Sequence, residues 1–229
     1  MTTVSVVKLN RILVLAFGVA LATIPCVGVT RGEHRSAEAT EPGQFDYYLL
    51  TLSWSPAHCA AHPDDRPQCG SRRRFHFVVH GLWPQFNAGG FPASCSDAPL
   101  QSEVVDRAMT FMPSRKLIQH EWDKHGTCSG MDSVGYFDAA ERALAGINIP
   151  STFSSLGEGE NLHLAADEVV EMFKTANEDL DDSMIVVKCS RKELEEVRIC
   201  LDKDLRFTAC GKGVRTQCVK SRVLVRAVR

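Results

Sequence analysis

Two short stretches concentrate side chains that can move protons. HEWDKHGTC, His120 to Cys128, carries His120, Glu121, Lys124 and His125, and HGLWP, His80 to Pro84, adds a third imidazole. On a helix these four titratable groups fall at about 0°, 100°, 40° and 140°, all on one side. Leu117 and Ile118 lie at about 60° and 160° on the same wheel, so the charged groups continue an apolar face. Sequences break inward-apolar patterning mainly where function requires it. Two imidazoles, a carboxylate and an ammonium together supply an acid, a base and charge stabilisers.

That set excludes some chemistries. A zinc-protease helix needs histidines at i and i+4, whereas His120 and His125 are five apart and point about 140° away from each other. No nucleophile elbow is present, and the cysteines read as oxidised, so a serine or cysteine triad has no support. Histidines on two different elements, His80 and His125, suit phosphodiester transfer in RNA, where the 2′-OH is already placed as nucleophile. One imidazole takes the 2′-OH proton while the other protonates the leaving 5′-oxygen. Lys124 and His120 would stabilise charge on the phosphorane oxygens, and Glu121 would orient or tune its neighbours. No metal and no cofactor is called for. Single-stranded RNA is the expected partner, and DNA, which lacks the 2′-OH, is not expected to be cut.

The elements that must position these groups follow from patterning. FDYYLLTLSW, Phe45 to Trp54, reads as a buried strand ended by Ser55-Pro56. Cys59 to Cys69 brackets a polar, proline-containing loop; His62 within it and His58 beside it read as solvated. Phe75 to Val79 reads as a second strand with His80 at its end and Gly81 permitting a sharp turn. The plain alternative for His80 is a core histidine bonded to a backbone carbonyl. Phe91, in the loop from Gln85 to Ala93, is a candidate stacking platform for a base, whereas Phe86 reads as core edge. Helical spacing is found over Leu100–Met112, Ser114–Gly126, Val134–Ile147 and Leu162–Asn177. Met184–Cys189, Leu194–Leu201 and Val214–Val228 read as sheet. The fold class expected is therefore α+β. The basic tail, Arg222, Arg226 and Arg229, is either a phosphate track or a solubilising end.

Lys8 and Arg11 before an apolar run from Ile12 to Val29 read as a secretory signal, cut near Ala20–Ala22 or Val27–Val29, so that Cys26 is retained or lost. An uncleaved anchor is the alternative, which Pro25 disfavours. Residues 1–31 are thus leader, 32–43 a disordered lead-in and 44–229 one catalytic domain, with no membrane contact expected beyond the leader. Residues 1–31 hold three of the 26 basic residues and none of the 28 acids, so the remainder carries a formal charge of −5. A general nucleic-acid coat protein would be basic, so any RNA contact must be local. Beyond Cys26 stand Cys59, Cys69, Cys95, Cys128, Cys189, Cys200, Cys210 and Cys218, an even set that reads as four disulfides of a secreted or periplasmic protein. Sequence alone leaves about 105 pairings open.

HGLWP followed by HEWDKHGTC resembles the two active-site segments of the ribonuclease T2 family, secreted endoribonucleases of fungi, plants and bacteria. The SWSP strand end and the cysteine order extend the resemblance over most of residues 44–220. It implies a disulfide-stapled α+β domain with a central antiparallel sheet flanked by helices. His125 would be the base and His80 the acid of the first step, His120 a phosphate contact, and Glu121 and Lys124 transition-state stabilisers. Trp83 and Phe91 would line the base pocket. Gln85 stands where fungal members carry an acidic base-reading residue, and Phe91 replaces a tyrosine, which leaves base preference open. The resemblance further implies 2′,3′-cyclic phosphate products, with hydrolysis to 3′-phosphates as a later step. Its disulfides would be Cys59–Cys69, Cys95–Cys128, Cys189–Cys218 and Cys200–Cys210. A monomer is expected. The competing function is a secreted RNA-binding protein that has lost catalysis.

Overall fold

The computed structural model describes Met1 and residues 41–70, 74–157, 159–219 and 221–228. The chain divides into two units, 1–36 and 37–229. Apart from Met1, the leader with Cys26 and residues 32–40 of the lead-in lie outside the described residues. Glu41 to Gly43, assigned to the lead-in from sequence, are held in place, because Gly43 N–H donates to the Cys128 carbonyl at 2.9 Å.

The first strand, β1 (Tyr47–Trp54), is buried at every position but Ser53, as a strand covered on both faces must be. α1 (Ser55–Ala61) begins immediately after it, and α2 (Arg66–Cys69) follows. The sequence suggested an irregular loop here. Each of these helices instead has a proline in its first turn, where the missing N–H has no helical partner to lose. Pro67, read as a loop signal, is thus a helix starter, and the Cys59–Cys69 disulfide joins α1 to α2.

β2 (Phe77–Gln85), α3 (Ser102–Ala108), α4 (Arg115–Lys124), α5 (Ser133–Ala145), the short α6 (Ser151–Ser154), β3 (Leu162–Leu164), α7 (Ala166–Ala176), β4 (Ile185–Ser190), β5 (Glu193–Leu201) and β6 (Val223–Val225) complete the order. The sheet runs β2-β1-β5-β6-β3, with β4 also on β5. Its pairs are antiparallel apart from β5 and β6, which meet in parallel at Glu193 and Leu224. The architecture is α+β. Several segments are shorter than or different from their sequence reading; the helix read over Leu100–Met112, for one, is only Ser102–Ala108. Leu162–Leu164 pairs with β6 and is not helical, because the helix starts only where the Glu168 carboxylate accepts from the Ala165 N–H at 2.6 Å. Among the described residues of Val214–Val228 only β6 is strand.

Leu50, Leu52 and Trp54 of β1 pack with Val104 and Ala108 of α3, Ile118 and Trp122 of α4, Phe137 and Ala140 of α5 and Phe173 of α7 in the main core. Tyr47 and Leu49, on the other face of β1, pack with Cys200 and Trp83 in a second, smaller cluster. Two arginines of the basic tail are engaged in ion pairs: Arg222 pairs with Glu168, and Arg226 forks onto both oxygens of Glu193; Arg229 lies outside the described residues.

Candidate active site

β2 does not stop at His80. Its register on β1 passes from Val79 opposite Leu52 to Gly81 opposite Thr51, leaving His80 as an extra residue. A bulge of this kind bends the strand and re-aims the side chain it carries. Gly81 is therefore not a turn residue but a close-approach residue inside a strand. A Cβ there would overlap Glu121 Oε2 and Trp83 Nε1.

The bulge points His80 toward β5. His80 Nδ1 donates to Glu196 Oε1 at 2.8 Å, and His80 Nε2 lies 3.7 Å from Glu121 Oε1. The other Glu196 oxygen accepts from Arg198 Nε and Nη2 at 2.8 and 2.6 Å, with Lys188 Nζ 3.7 Å away. Burial alone would lower the His80 pKa, but the Glu196 bond and the Glu196 and Glu121 charges outweigh it and leave it raised. Burial alone would raise Glu196, yet the His80 bond and the Arg198 and Lys188 charges pull it down to about 2. Glu196 is thus an anion at any ordinary pH.

α4 supplies the opposite wall. Ser114 caps its start by accepting from Leu117 N–H at 3.3 Å, and His125 is its C-cap. Glu121 is 1 % exposed and accepts from Trp83 Nε1–H at 2.6 Å. Burial pushes its carboxyl up to about 7 against the pull of His80, the Trp83 bond and Lys124. His125 stacks on Trp83, with ring centroids 5.2 Å apart and planes at 25°, and meets Phe91 at 5.6 Å. Its Nδ1 is buried with no hydrogen-bond partner among the described residues. Burial, then the charges of Lys124, His120 and His80, hold its pKa down to about 3. Phe91 is 48 % exposed, with Lys124 Nζ 5.7 Å from its ring centre.

His80 and His120 both line an open cleft of about 730 Å³, together with Ser53, Leu117 and Glu196. His58 and His62 line it as well, and His58 Nε2 lies 2.9 Å from Asp65 Oδ2. His80, Trp83, Phe91, His120, Glu121, Lys124 and His125 are thus brought into one neighbourhood. Gln85 is set apart: it is buried, and its amide donates to the adjacent Pro84 carbonyl at 2.9 Å. The connection from β2 to α3 is tied to the end of α4 by the Cys95–Cys128 disulfide and by Ser94 N–H donating to the Lys124 carbonyl at 2.9 Å. Cys189–Cys218 and Cys200–Cys210 brace the far strands. Among the described residues no group of three His, Cys, Asp or Glu is placed to hold a metal ion.

Sequence reasoning did not single out Glu196 or Arg198. The charges of ELEEVRICL look like a solvated strand face, and nothing local connects Glu196 to a histidine 116 residues earlier. Only an acid in a strand otherwise apolar at Leu194, Val197 and Ile199 hinted at burial.

The model of the ribonuclease T2 family matches residues 45–210. A ribonuclease of Aeromonas hydrophila is 48% identical over 100 residues, 44% of this chain and 45% of that relative. A probable ribonuclease of Haemophilus influenzae is 33% identical over 198 residues, 80% of this chain and 66% of its own length. The chain therefore spans less than two thirds of each of these relatives. A solved structure of an RNase-related protein from Calystegia sepium shares the fold, with a TM-score of 0.63 at 24% identity over 82% of this chain and 98% of that one. The matched span runs from the first strand past the bulged histidine and the α4 cluster to Cys210, and on it this chain belongs to the ribonuclease T2 family.

Proposed function

We propose that the protein is an exported endoribonuclease that cuts single-stranded RNA by transphosphorylation without a metal ion. The observation that carries this reading is the contrast between two imidazoles in one site. His80 has a buried carboxylate behind Nδ1, which favours the protonated ring. His125 is packed between rings with Nδ1 unpartnered and three cationic neighbours, which favours the neutral ring. Titratable groups whose environments push them in opposite directions mark an acid and a base.

His125 accepts the 2′-OH proton, the 2′-oxygen attacks phosphorus, and the bond from phosphorus to the 5′-oxygen breaks as that oxygen takes the proton from His80 Nε2. The products are a 2′,3′-cyclic phosphate and a strand with a free 5′-OH. Water then opens the ring to a 3′-phosphate with the two histidines in exchanged roles. Lys124 and His120 stabilise the phosphorane oxygens, and Phe91 offers an exposed face for a base. The incoming phosphate offsets the cationic charges that hold His125 down, so its basicity rises when substrate binds. The cleft beside His80 takes the leaving strand. Four disulfides support folding in an oxidising compartment, hence export. The protein acts as a monomer and spares DNA.

The test is incubation of the oxidised protein with single-stranded RNA in excess EDTA at about pH 5 to 7, where imidazoles titrate, followed by mass analysis of the ends. Cyclic phosphate termini are expected. RNA binding without cleavage, or cleavage only after metal is restored, would overturn the reading.

A further inference from the structure

We propose that Glu196 is the positioning residue for the acid imidazole: it fixes His80 with a proton on Nδ1, leaves Nε2 to face the substrate, and stabilises the protonated ring until the leaving oxygen takes its proton. The inference rests on His80 being the proton donor of the proposed reaction.

Glu196 lies on β5, opposite Ser53 of β1, while His80 lies on β2, so the hydrogen bond spans the intervening strand. Only the bulge at His80 lets the ring reach it. A buried carboxylate is stable only with its lone pairs occupied, and the Arg198 fork would by itself serve one oxygen. The fork donates to Oε2 alone and so holds the carboxylate in a fixed plane, with Oε1 presented to His80 Nδ1. Arg198 in turn rests over the Trp83 ring, its guanidinium carbon 5.3 Å from the ring centre. The acceptor is thereby rigid before substrate arrives.

An imidazole held through Nδ1–H to a carboxylate has its tautomer decided by that bond. When His80 gives up its Nε2 proton, the neutral ring that remains is the Nδ1–H form, and the bond to Glu196 survives the transfer unbroken. No group around the acid has to reorganise during the step, which is how preorganised dipoles lower a barrier. Among the described residues, the charged groups that face His80 are Glu196 and Arg198 from β5 and Glu121 from α4, and the titratable His125 at the end of α4 stands beside them as a neutral ring. Lys188 of β4 acts on Glu196 from behind. Glu121 is near Nε2, the side of the proton to be delivered, whereas Glu196 alone occupies Nδ1.

Nitrogen-15 NMR of the histidines in the unaltered protein gives the first test. Above its titration midpoint His80 should be the Nδ1–H tautomer; a neutral ring protonated on Nε2 would overturn the proposal. The second test compares Glu196→Gln, Glu196→Asp and Arg198→Gln by the His80 midpoint and by the alkaline limb of kcat/KM. Glu196→Gln should lower both by about one pH unit or more, and Glu196→Asp, which keeps the charge, should restore part of the shift. Arg198→Gln should raise both, because the guanidinium opposes protonation of His80; loss of a merely structural contact would not move the two variants in opposite directions. An unmoved midpoint in folded Glu196→Gln would overturn the part assigned to Glu196. A midpoint that falls while the alkaline limb stays in place would instead overturn His80 as the donor. Should Glu196→Gln fail to fold, the tautomer measurement and Arg198→Gln still decide.

Discussion

Trp83 donates from its indole Nε1–H to Glu121 Oε2 at 2.6 Å, and this one bond ties the strand that carries His80 to the helix that ends in His125. It forms across the backbone of Gly81, where no side chain fits. Gly81→Ala should therefore part the two residues while leaving the main core intact. A misplacement of this order costs about 100-fold in kcat/KM. Turnover measured beside far-ultraviolet circular dichroism checks this, and wild-type turnover in the folded variant would contradict it.

The pH profile follows from the two histidines. The base must be neutral, so kcat/KM rises as pH climbs through the His125 value of about 3 in the free protein. The acid must be protonated, so kcat/KM falls as pH passes the His80 value, which lies above 6.5. A bell with an acidic to near-neutral plateau is expected. A rate still climbing above about pH 8, far past an unperturbed imidazole, would contradict the two-imidazole scheme. His80→Ala and His125→Ala should each lose at least ~100-fold, and the double variant should be little slower than the worse single one, because the two act as a unit.

Glu121 is predicted to lower stability at neutral pH. Its folded value, about 7, exceeds the usual 4.5, so the protonated form favours the folded state and that advantage is lost as pH rises from about 4.5 through 7. Glu121→Gln removes the buried charge. It should raise the unfolding free energy on the order of 2 to 3 kcal/mol at pH 8 and change it little at pH 4, while reducing turnover. Thermal or urea melts at the two pH values test the sign; equal effects at both would refute it.

The Cys95–Cys128 link closes a span of 33 residues, for which the loss of chain entropy in the unfolded state is worth about 3 to 4 kcal/mol. Replacing both cysteines with serine should lower stability by that order. It should also reduce turnover at temperatures where the protein stays folded, since the same connection carries the Ser94 bond to the Lys124 carbonyl. A variant that loses stability but keeps full turnover would limit the link to a structural part.

Much of the fold and part of the site could be read from local order in the chain. The α4 cluster is visible because a helix converts spacing into a shared face. β1 is visible because a strand buried on both sides must be apolar throughout, and the even cysteine set announces staples. These are short-range consequences of backbone geometry and solvent exclusion, and they are determined by the sequence itself. What only the tertiary structure decided depends on residues far apart in the chain. The bulge that turns His80 inward exists only in the register of β2 against β1. Gln85, a base-reading candidate by its place in the motif, is buried by the packing around it. The opposite displacements of His80 and His125 come from burial and from charges on other elements, among them Glu196, 116 residues beyond His80. Coulomb forces and desolvation act through space, so proton affinity, unlike helical spacing, is decided by the folded arrangement.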